Sequence, residues 1–361
     1  MSKTNYKRLG DYIREVDVRN RDLKVTKLYG VNLQKEFMPS VANIIGTDLS
    51  KYKIVSYNQF GCKLMSVERD HKLPISLMKE SQPAIMSSAY FVFEVIDENV
   101  LNPDYLFMQI KRPEFDRRLW FSTGGDVRGG ATWDNLCDMP IIVPSIDQQR
   151  KIVAEYNAIQ QRIKLNEQQI VKLEETAQAI YRKMFVDGID KNNLPEGWRM
   201  GTLGEIADFG YGKMPGKTTK GDIPIFSGYG IVGYTDTPMY DKQLIIIIAR
   251  GDSGSGKVVL SPNIFFLTNL AIAVLLKDDK MKNYLYYHLL NSDTTSLRSG
   301  SAQAQVTINS LSSYEIIIPP GEYYKKFNLL ISPINEQKGL IISENIKLNK
   351  LQSLLLVKMG Q

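Results

Sequence analysis

The stretch "NLPEGWRMGTLGE", residues 193–205, lies near the middle of a 361-residue chain, yet it reads as the opening of a folded domain. A chain of this length exceeds the usual reach of one hydrophobic core, so two or more domains are expected. Leu194-Pro195 is expected to stop whatever helix precedes it, because the residue before a proline is biased away from helical backbone. Trp198 reads as an anchor for a core rather than as a stacking surface. The triplet Leu203-Gly204-Glu205 then echoes Leu9-Gly10-Asp11, as though the chain began twice.

The echo extends to a repeat, which has to be found before any motif is weighed because it governs the whole fold assignment. At an offset of 175 without gaps, Thr132 falls on Thr307, Leu136 on Leu311, Ile141-Ile142 on Ile316-Ile317, and Pro144 on Pro319. The register continues through Lys151 over Lys326 and Lys172-Leu173 over Lys347-Leu348, ending with Lys183-Met184 over Lys358-Met359. Upstream, Tyr105-Leu106 echoes Tyr284-Leu285 at a different spacing, so the front parts diverged by insertion while the back parts kept their length. This divides the chain into a front domain (1–145), a helix (146–187), a linker (188–195), a second front domain (196–318) and a second helix (319–361).

The first back segment has a helical seam. Ile152, Tyr156, Ile159, Ile163, Asn166, Ile170, Leu173, Ala177, Ile180 and Met184 fall at alternating steps of four and three, as in a coiled coil. Asn166 is the one polar member, a residue type that fixes register at some cost in stability. The second copy carries Ile334, Ile341, Leu348 and Leu355 at steps of seven, with Lys338, Asn345 and Gln352 sharing the seam. Pro333 is expected to start or kink that helix, since it has no N–H and clashes with the preceding turn. Forty residues at 1.5 Å each make a rod of roughly 60 Å. Packing the two helices on each other, antiparallel, with a front domain at each end is the economical arrangement; pairing with a second copy of the chain is the alternative.

The front domains read as α/β (α+β), with short β-rich runs such as "SAYFVFEVI", "KQLIIIIARG", "GKVVLSP" and "YEIIIPP" bounded by Gly, Pro and Asp. "NPDYLFMQIKRP" reads as a short helix with Asn102 as N-cap and Pro103 in the first helical position. The expected fold is therefore two β-rich domains separated by two long antiparallel coiled-coil helices, duplicated about a pseudo-two-fold.

Composition excludes several classes. No apolar run approaches the 18 or so residues of a membrane span, and the N-terminus has no apolar signal region, so no membrane partner is expected. Two cysteines, Cys62 and Cys137, fit a reducing compartment, and the cytoplasm is the expected location. The formal net charge is +6, but residues 196–318 carry eleven basic and eleven acidic side chains, so a nucleic-acid partner would need locally concentrated basic groups.

Three stretches imitate catalytic motifs. "GDSGSGKV", residues 251–258, begins like a P-loop, but Val258 stands where Ser or Thr would hold magnesium, and a strand-like run follows instead of a helix. Its "GDSG" also surrounds protease nucleophiles, yet the only histidines, His71 and His288, lie in unrelated contexts. "NPDY", residues 102–105, approximates the base-holding tetrapeptide of adenine methyltransferases. Its third residue is wrong, no glycine-rich turn for a methyl donor precedes it, and helix capping accounts for it. No catalytic residue and no metal-ligand spacing is assigned.

Recognition remains, in basic loops. Lys213, Lys217 and Lys220 stand in "GYGKMPGKTTKG", a glycine-rich loop where lysines and backbone N–H groups can approach phosphates. Arg250, Ser253, Ser255 and Lys257 surround the turn of "ARGDSGSGK", a mixture suited to base edges as well as phosphate. In the first repeat Lys51, Lys53, Lys63, Arg69, His71 and Lys72 form the corresponding set, with "ERDHK" as its turn, and Arg128 joins them. Tyr211, Tyr229 and Tyr234 flank the second loop set, where packing is their expected role.

These features resemble the specificity subunits of Type I restriction-modification systems over nearly the whole chain. "LPEGWRMGTLGEIADF" resembles the opening of that family's second target-recognition domain. "IIVPSIDQQRKIV" with "KLEETAQAIYRKMF" resembles its central conserved helix, and "IIIPPGEYYKKFNLLISPINEQK" its C-terminal one. The resemblance implies a non-catalytic subunit that binds double-stranded DNA at a bipartite site, each front domain reading one half and the helix length setting the unread spacer. It further implies two methyltransferase subunits on the paired helices, two motor-nuclease subunits in the full complex, and S-adenosylmethionine used by the partner while this chain holds no cofactor. Two readers on a rod several tens of ångströms long would contact DNA one or more turns apart, a turn being about 35 Å. Lys338, Gly339 and Asn345 depart from a clean seam. A self-contained or degenerate adenine methyltransferase and a coiled-coil scaffold that binds no DNA remain the alternatives.

Overall fold

The computed structural model describes residues 6–41, 46–124, 130–216, 221–251, 254–299 and 305–359. The chain divides into two compact units, residues 1–166 with 343–361, and residues 167–342. The boundaries cut through both long helices, so each unit joins a front segment to a stretch of each helix.

In the first unit a four-stranded antiparallel sheet runs in the order Ile13–Glu15, Phe91–Val95, Phe60–Cys62, Ile75–Leu77. Phe60 and Phe93 are register partners and stack at 4.7 Å between centroids, which fixes the central pair. The sheet packs against helices Pro103–Ile110 and Pro113–Ser122 through Leu106, Ile110, Phe115 and Leu119, all buried. Asn102 caps the first of these by accepting from the Tyr105 N–H at 3.0 Å, with Pro103 in the first turn, as the sequence indicated. Lys35, in the hairpin between Tyr29–Val31 and Phe37–Pro39, is buried and donates to the Asp116 carboxylate (2.8 Å) and the Ile110 carbonyl (2.6 Å), fastening the hairpin to the helices. Both cysteines are free and buried.

The second unit contains a four-stranded antiparallel sheet ordered Ala207–Tyr211, Ala271–Leu276, Ile245–Ile248, Val258–Leu260. A second sheet holds Ile231–Thr235, Ile223–Phe226 and Phe266–Leu267, the last pair parallel. Ile245–Ile248 is buried throughout, which explains a run of four isoleucines with no alternation. Trp198 is buried and packs edge-on against Tyr323 at 5.0 Å and against Phe185 at 6.1 Å, an anchor as expected.

The repeat is visible in detail. Tyr6–Arg8 pairs with Pro140–Ile142 in one unit, and Arg199–Thr202 with Glu315–Ile318 in the other. Helices Trp133–Cys137 and Ile308–Ser312 both begin with capping boxes, set by Thr132 with Asn135 and by Thr307 with Ser310. The carbonyls at the repeat-equivalent positions Ile142 and Ile317 are both satisfied, by Gln109 Nε2 in the first unit and by the Tyr284 hydroxyl in the second. The same backbone requirement is met by different side chains.

The central helix spans Ile146–Phe185 and the C-terminal helix Gly321–Lys358. Every seam residue read from the first repeat, from Ile152 to Met184, is buried or half-buried. In the C-terminal helix the inward positions are 324, 327, 331, 334, 338, 341, 345, 348, 352, 355 and 359, an unbroken alternation of three and four. The helices run antiparallel within each unit. In the first, Arg162 meets Glu344 and Asn166 meets Asn345, while Met359 joins the cluster that holds Tyr156. In the second, Lys338 pairs with Glu174, and Tyr181 contacts Phe327. Lys338 and Asn345 therefore have polar partners across the seam, whereas the buried Gln352 Nε2 has none among the described residues.

Two expectations are corrected. Leu194-Pro195 is not the stop of the central helix, which ends at Phe185, two residues before the expected bound, where the Val186 and Asp187 N–H groups bond to the Arg182 carbonyl and Gly188 takes a left-handed φ of 76°. Pro333 does not start the C-terminal helix but lies inside it, twelve residues after Gly321. The exposed Pro333 lacks an N–H to donate, and packing of Phe327, Ile331, Ile334 and Ile341 carries the helix across that gap.

Candidate nucleic-acid interface

The second unit brings its recognition loops to one edge of its main sheet. The Ala249 and Arg250 N–H groups both bond to the Leu270 carbonyl (2.8 and 3.2 Å) where Ile245–Ile248 ends. Gly212 N donates to Ala271 O at 3.1 Å and Lys213 N to Leu267 O at 2.9 Å, placing the end of Ala207–Tyr211 beside the same segment. Thr268 N reaches Phe226 O (3.0 Å), Val306 N reaches Ala249 O (3.0 Å), and Ile308 N reaches the Tyr211 hydroxyl (3.4 Å). Loops that follow four different strands, together with residues 305–308, thus converge on one small region.

Residues 249–251 and 254–257 are brought together by close backbone approach. Ser255 N bonds to Gly251 O at 3.0 Å and Gly256 N to Ile248 O at 2.8 Å, so the chain doubles back directly into strand Val258–Leu260. Nothing helical follows Lys257, so the phosphate cradle of a P-loop is not formed. The Tyr229 ring packs on the turn and its hydroxyl donates to the Arg250 carbonyl at 3.0 Å. A Cβ at Gly251 would lie 2.1 Å from that hydroxyl, and one at Gly254 2.3 Å from the ring, so a side chain at either position would displace Tyr229.

Arg250 and Lys257 are exposed there, as is Lys213. Ser255 is a correction: it is buried, its hydroxyl donates to the Ala249 carbonyl at 3.1 Å and its own carbonyl accepts from Arg298, so it holds the turn closed rather than facing a ligand. Lys217, Lys220 and Ser253 lie outside the described residues, and so does Arg128 in the first unit.

In the first unit the corresponding turn differs in chemistry. Residues Val67–Asp70 form one helical turn ended by His71 in the left-handed conformation, φ 52°. Arg69 makes two 2.8 Å bonds to Asp70, which hold that carboxyl below the usual carboxylate range and occupy one edge of the guanidinium. The His71 ring stacks on Trp120 at 4.3 Å. Lys63 lies over Tyr90 and lines a groove of about 400 Å³ with Arg69, Asp70 and Gln34. Lys72 is exposed, and exposed Lys51 pairs with Asp48 at 3.3 Å. Lys53 is the second correction: only 6% of its side chain is exposed, it pairs with Glu15 (3.1 Å) and Asp17 (3.6 Å), and it lies over Phe91, so it is part of the fold and not of a surface.

Sequence reasoning gave Tyr229 only a packing role and missed Gln305, Arg298 and Trp120. Tyr229 sits in "GYG", whose flanking glycines were the available signal; the other three contact the turns only through long-range folding. Among the described residues no three His, Cys, Asp or Glu side chains gather as a metal site would need, and no helix is long and apolar enough to cross a membrane.

Residues 195–348 match the family model of the Type I restriction modification DNA specificity domain. The Type I restriction enzyme MjaIX specificity subunit of Methanocaldococcus jannaschii is 22% identical over 296 residues, which is 70% of this chain and 68% of that one. The crystal structure of a Type-I restriction-modification system S subunit from M. genitalium matches with a TM-score of 0.62 at 13% identity, covering 99% of this chain and 97% of its own, so the two share a fold.

Proposed function

We propose that this chain is a specificity subunit of a Type I restriction-modification system and that each of its two units reads one half of a bipartite double-stranded DNA site. The observation that carries the division is the duplication itself. Equivalent strand pairs, capping boxes and helix seams support two front segments whose loop chemistry differs, as two readers of unlike sequences require. Exposed Lys213, Arg250 and Lys257 in one unit, and exposed Lys51, Arg69, His71 and Lys72 with half-buried Lys63 in the other, supply contacts to phosphate and base edges.

The long helices serve as the scaffold. Leu329, Leu340 and Ile342 in the second unit, and Ile346, Leu351 and Leu354 in the first, are exposed and apolar although the seam is already filled. Each unit thus offers exposed apolar helix surface to methyltransferase subunits. Two such subunits, using S-adenosylmethionine to methylate a flipped adenine in each half-site, and two motor-nuclease subunits complete the assembly. The chain itself then performs no catalysis, holds no cofactor and acts in the cytoplasm.

The test is to incubate the full chain, alone and with its methyltransferase partner, with labelled S-adenosylmethionine and duplex DNA. Label is expected only with the partner, at adenines in two fixed half-sites. Transfer by the chain alone would make it a methyltransferase; failure to co-purify with the partner or to bind DNA would make it a scaffold of another kind.

A further inference from the structure

We infer that Arg250 reads a guanine in the major groove, with Gln305 and Tyr229 as the residues that position it; the inference rests on the DNA-reading role proposed above. The backbone of Arg250 is immobilised on both sides. It leaves a strand of four fully buried isoleucines, its N–H bonds to the Leu270 carbonyl at 3.2 Å, and its carbonyl accepts from the Tyr229 hydroxyl at 3.0 Å. The next residue, Gly251, has φ 118° and sits under the same hydroxyl, where a side chain would clash.

The side chain is exposed but aimed. Its Nε donates to Gln305 Oε1 at 3.1 Å, and no carboxylate pairs with it among the described residues. An amide on the Nε edge fixes the guanidinium plane without neutralising its charge. The two terminal nitrogens then present parallel donors, the pattern that matches guanine O6 and N7. A phosphate contact needs charge but not this orientation, and a planar fork held in place loses less freedom on binding than a free lysine. Arg69, in the corresponding turn of the first unit, spends its Nε–Nη2 edge on the Asp70 carboxylate, which offsets its charge, so the assignment is made for Arg250 alone.

The test uses the full chain in complex with its methyltransferase partner on a pool of duplexes randomised across the target, with methylated molecules sequenced. The unaltered complex first defines both half-sites; absence of any sequence preference there defeats the DNA-reading role, whatever Arg250 does. Arg250→Lys keeps the charge and removes the fork. It is expected to relax one G·C position of one half-site by about tenfold or more, leaving the other positions and the melting temperature unchanged. Gln305→Leu and Tyr229→Phe are expected to relax that same position to a smaller degree. Unchanged half-sites in Arg250→Lys, or an equal loss on all sequences, would show a phosphate contact and overturn the assignment, as would relaxation at an A·T position. Should Arg250→Lys fail to fold, Gln305→Leu decides: no change at any G·C position overturns it.

Discussion

Asn166 of the central helix donates to Asn345 Oδ1 of the C-terminal helix at 2.7 Å and to the Glu344 carboxylate at 3.0 Å, while Arg162 grips the same carboxylate through two bonds. Asn166 is only 1% exposed, so a polar pair stands inside the seam at this register.

Replacing Asn166 with Leu leaves the half-buried Asn345 without its donor and is expected to cost about 1–3 kcal/mol. Replacing Asn345 as well removes the stranded partner, and Asn166→Leu/Asn345→Leu is expected to recover most of that loss. Denaturant unfolding of the single and double variants measures both. A double variant no more stable than the single one would mean the pair does not set the register.

Lys53 separates a structural lysine from a surface one. Its side chain is buried with the ammonium over the Phe91 ring, and Lys53→Ala removes that contact together with the bonds to Glu15 and Asp17. A loss of about 1–3 kcal/mol in stability is expected, with the salt dependence of DNA binding unchanged. Lys51→Ala should do the reverse, because its ion pair with Asp48 is exposed and contributes little. Melting temperature and salt-dependent affinity, measured on both variants, check the distinction.

These cases show what the sequence makes legible. The repeat, the seam and the Asn102 cap depend on spacing within a few residues, so they can be read directly. Lys53 could not be, because Glu15 and Asp17 reach it from a distant segment and composition treats every lysine as exposed. Ser255 sits in a turn whose hydroxyls could face either way, and only the folded path shows that the Ala249 carbonyl accepts its hydrogen bond. The Leu194-Pro195 stop was a sound local signal, but Gly188 ended the helix first. Gln305 carries no motif; it matters because folding brings it to Arg250.

His288 makes stability depend on pH. It is half-buried on helix Lys282–Leu290, with its Nε2 buried and its Nδ1 3.0 Å from the Tyr181 hydroxyl, and desolvation pushes its pKa from 6.5 down to about 4. Between those values the unfolded chain binds a proton that the folded chain does not, so stability rises with pH across that window. The contribution is fully present above about pH 6.5, falls as pH drops toward 4 by at most about 1.4 kcal/mol per unit, and is level below. His288→Gln is expected to flatten that slope. Urea unfolding at pH 7 and pH 5 on both proteins measures it, and an equal slope in the variant would assign the effect elsewhere.

Lys213 is the clearest candidate for a phosphate contact. Its N–H is held by the Leu267 carbonyl at 2.9 Å, and a Cβ at Gly212 would lie 2.0 Å from the Thr268 carbonyl, so the side chain projects from a fixed backbone. The side chain is exposed, and no carboxylate pairs with it among the described residues. A lysine so placed contributes charge without base selection, and neutralising one phosphate releases condensed counterions. Lys213→Ala is therefore expected to weaken binding equally on all sequences and to reduce the slope of log affinity against log salt by about 0.9. Both half-sites should remain as they were, in contrast to the change expected for Arg250→Lys. Titrations of the complex on its own site and on an unrelated duplex, between 50 and 200 mM salt, measure the slope; an unaltered slope would place Lys213 away from the DNA.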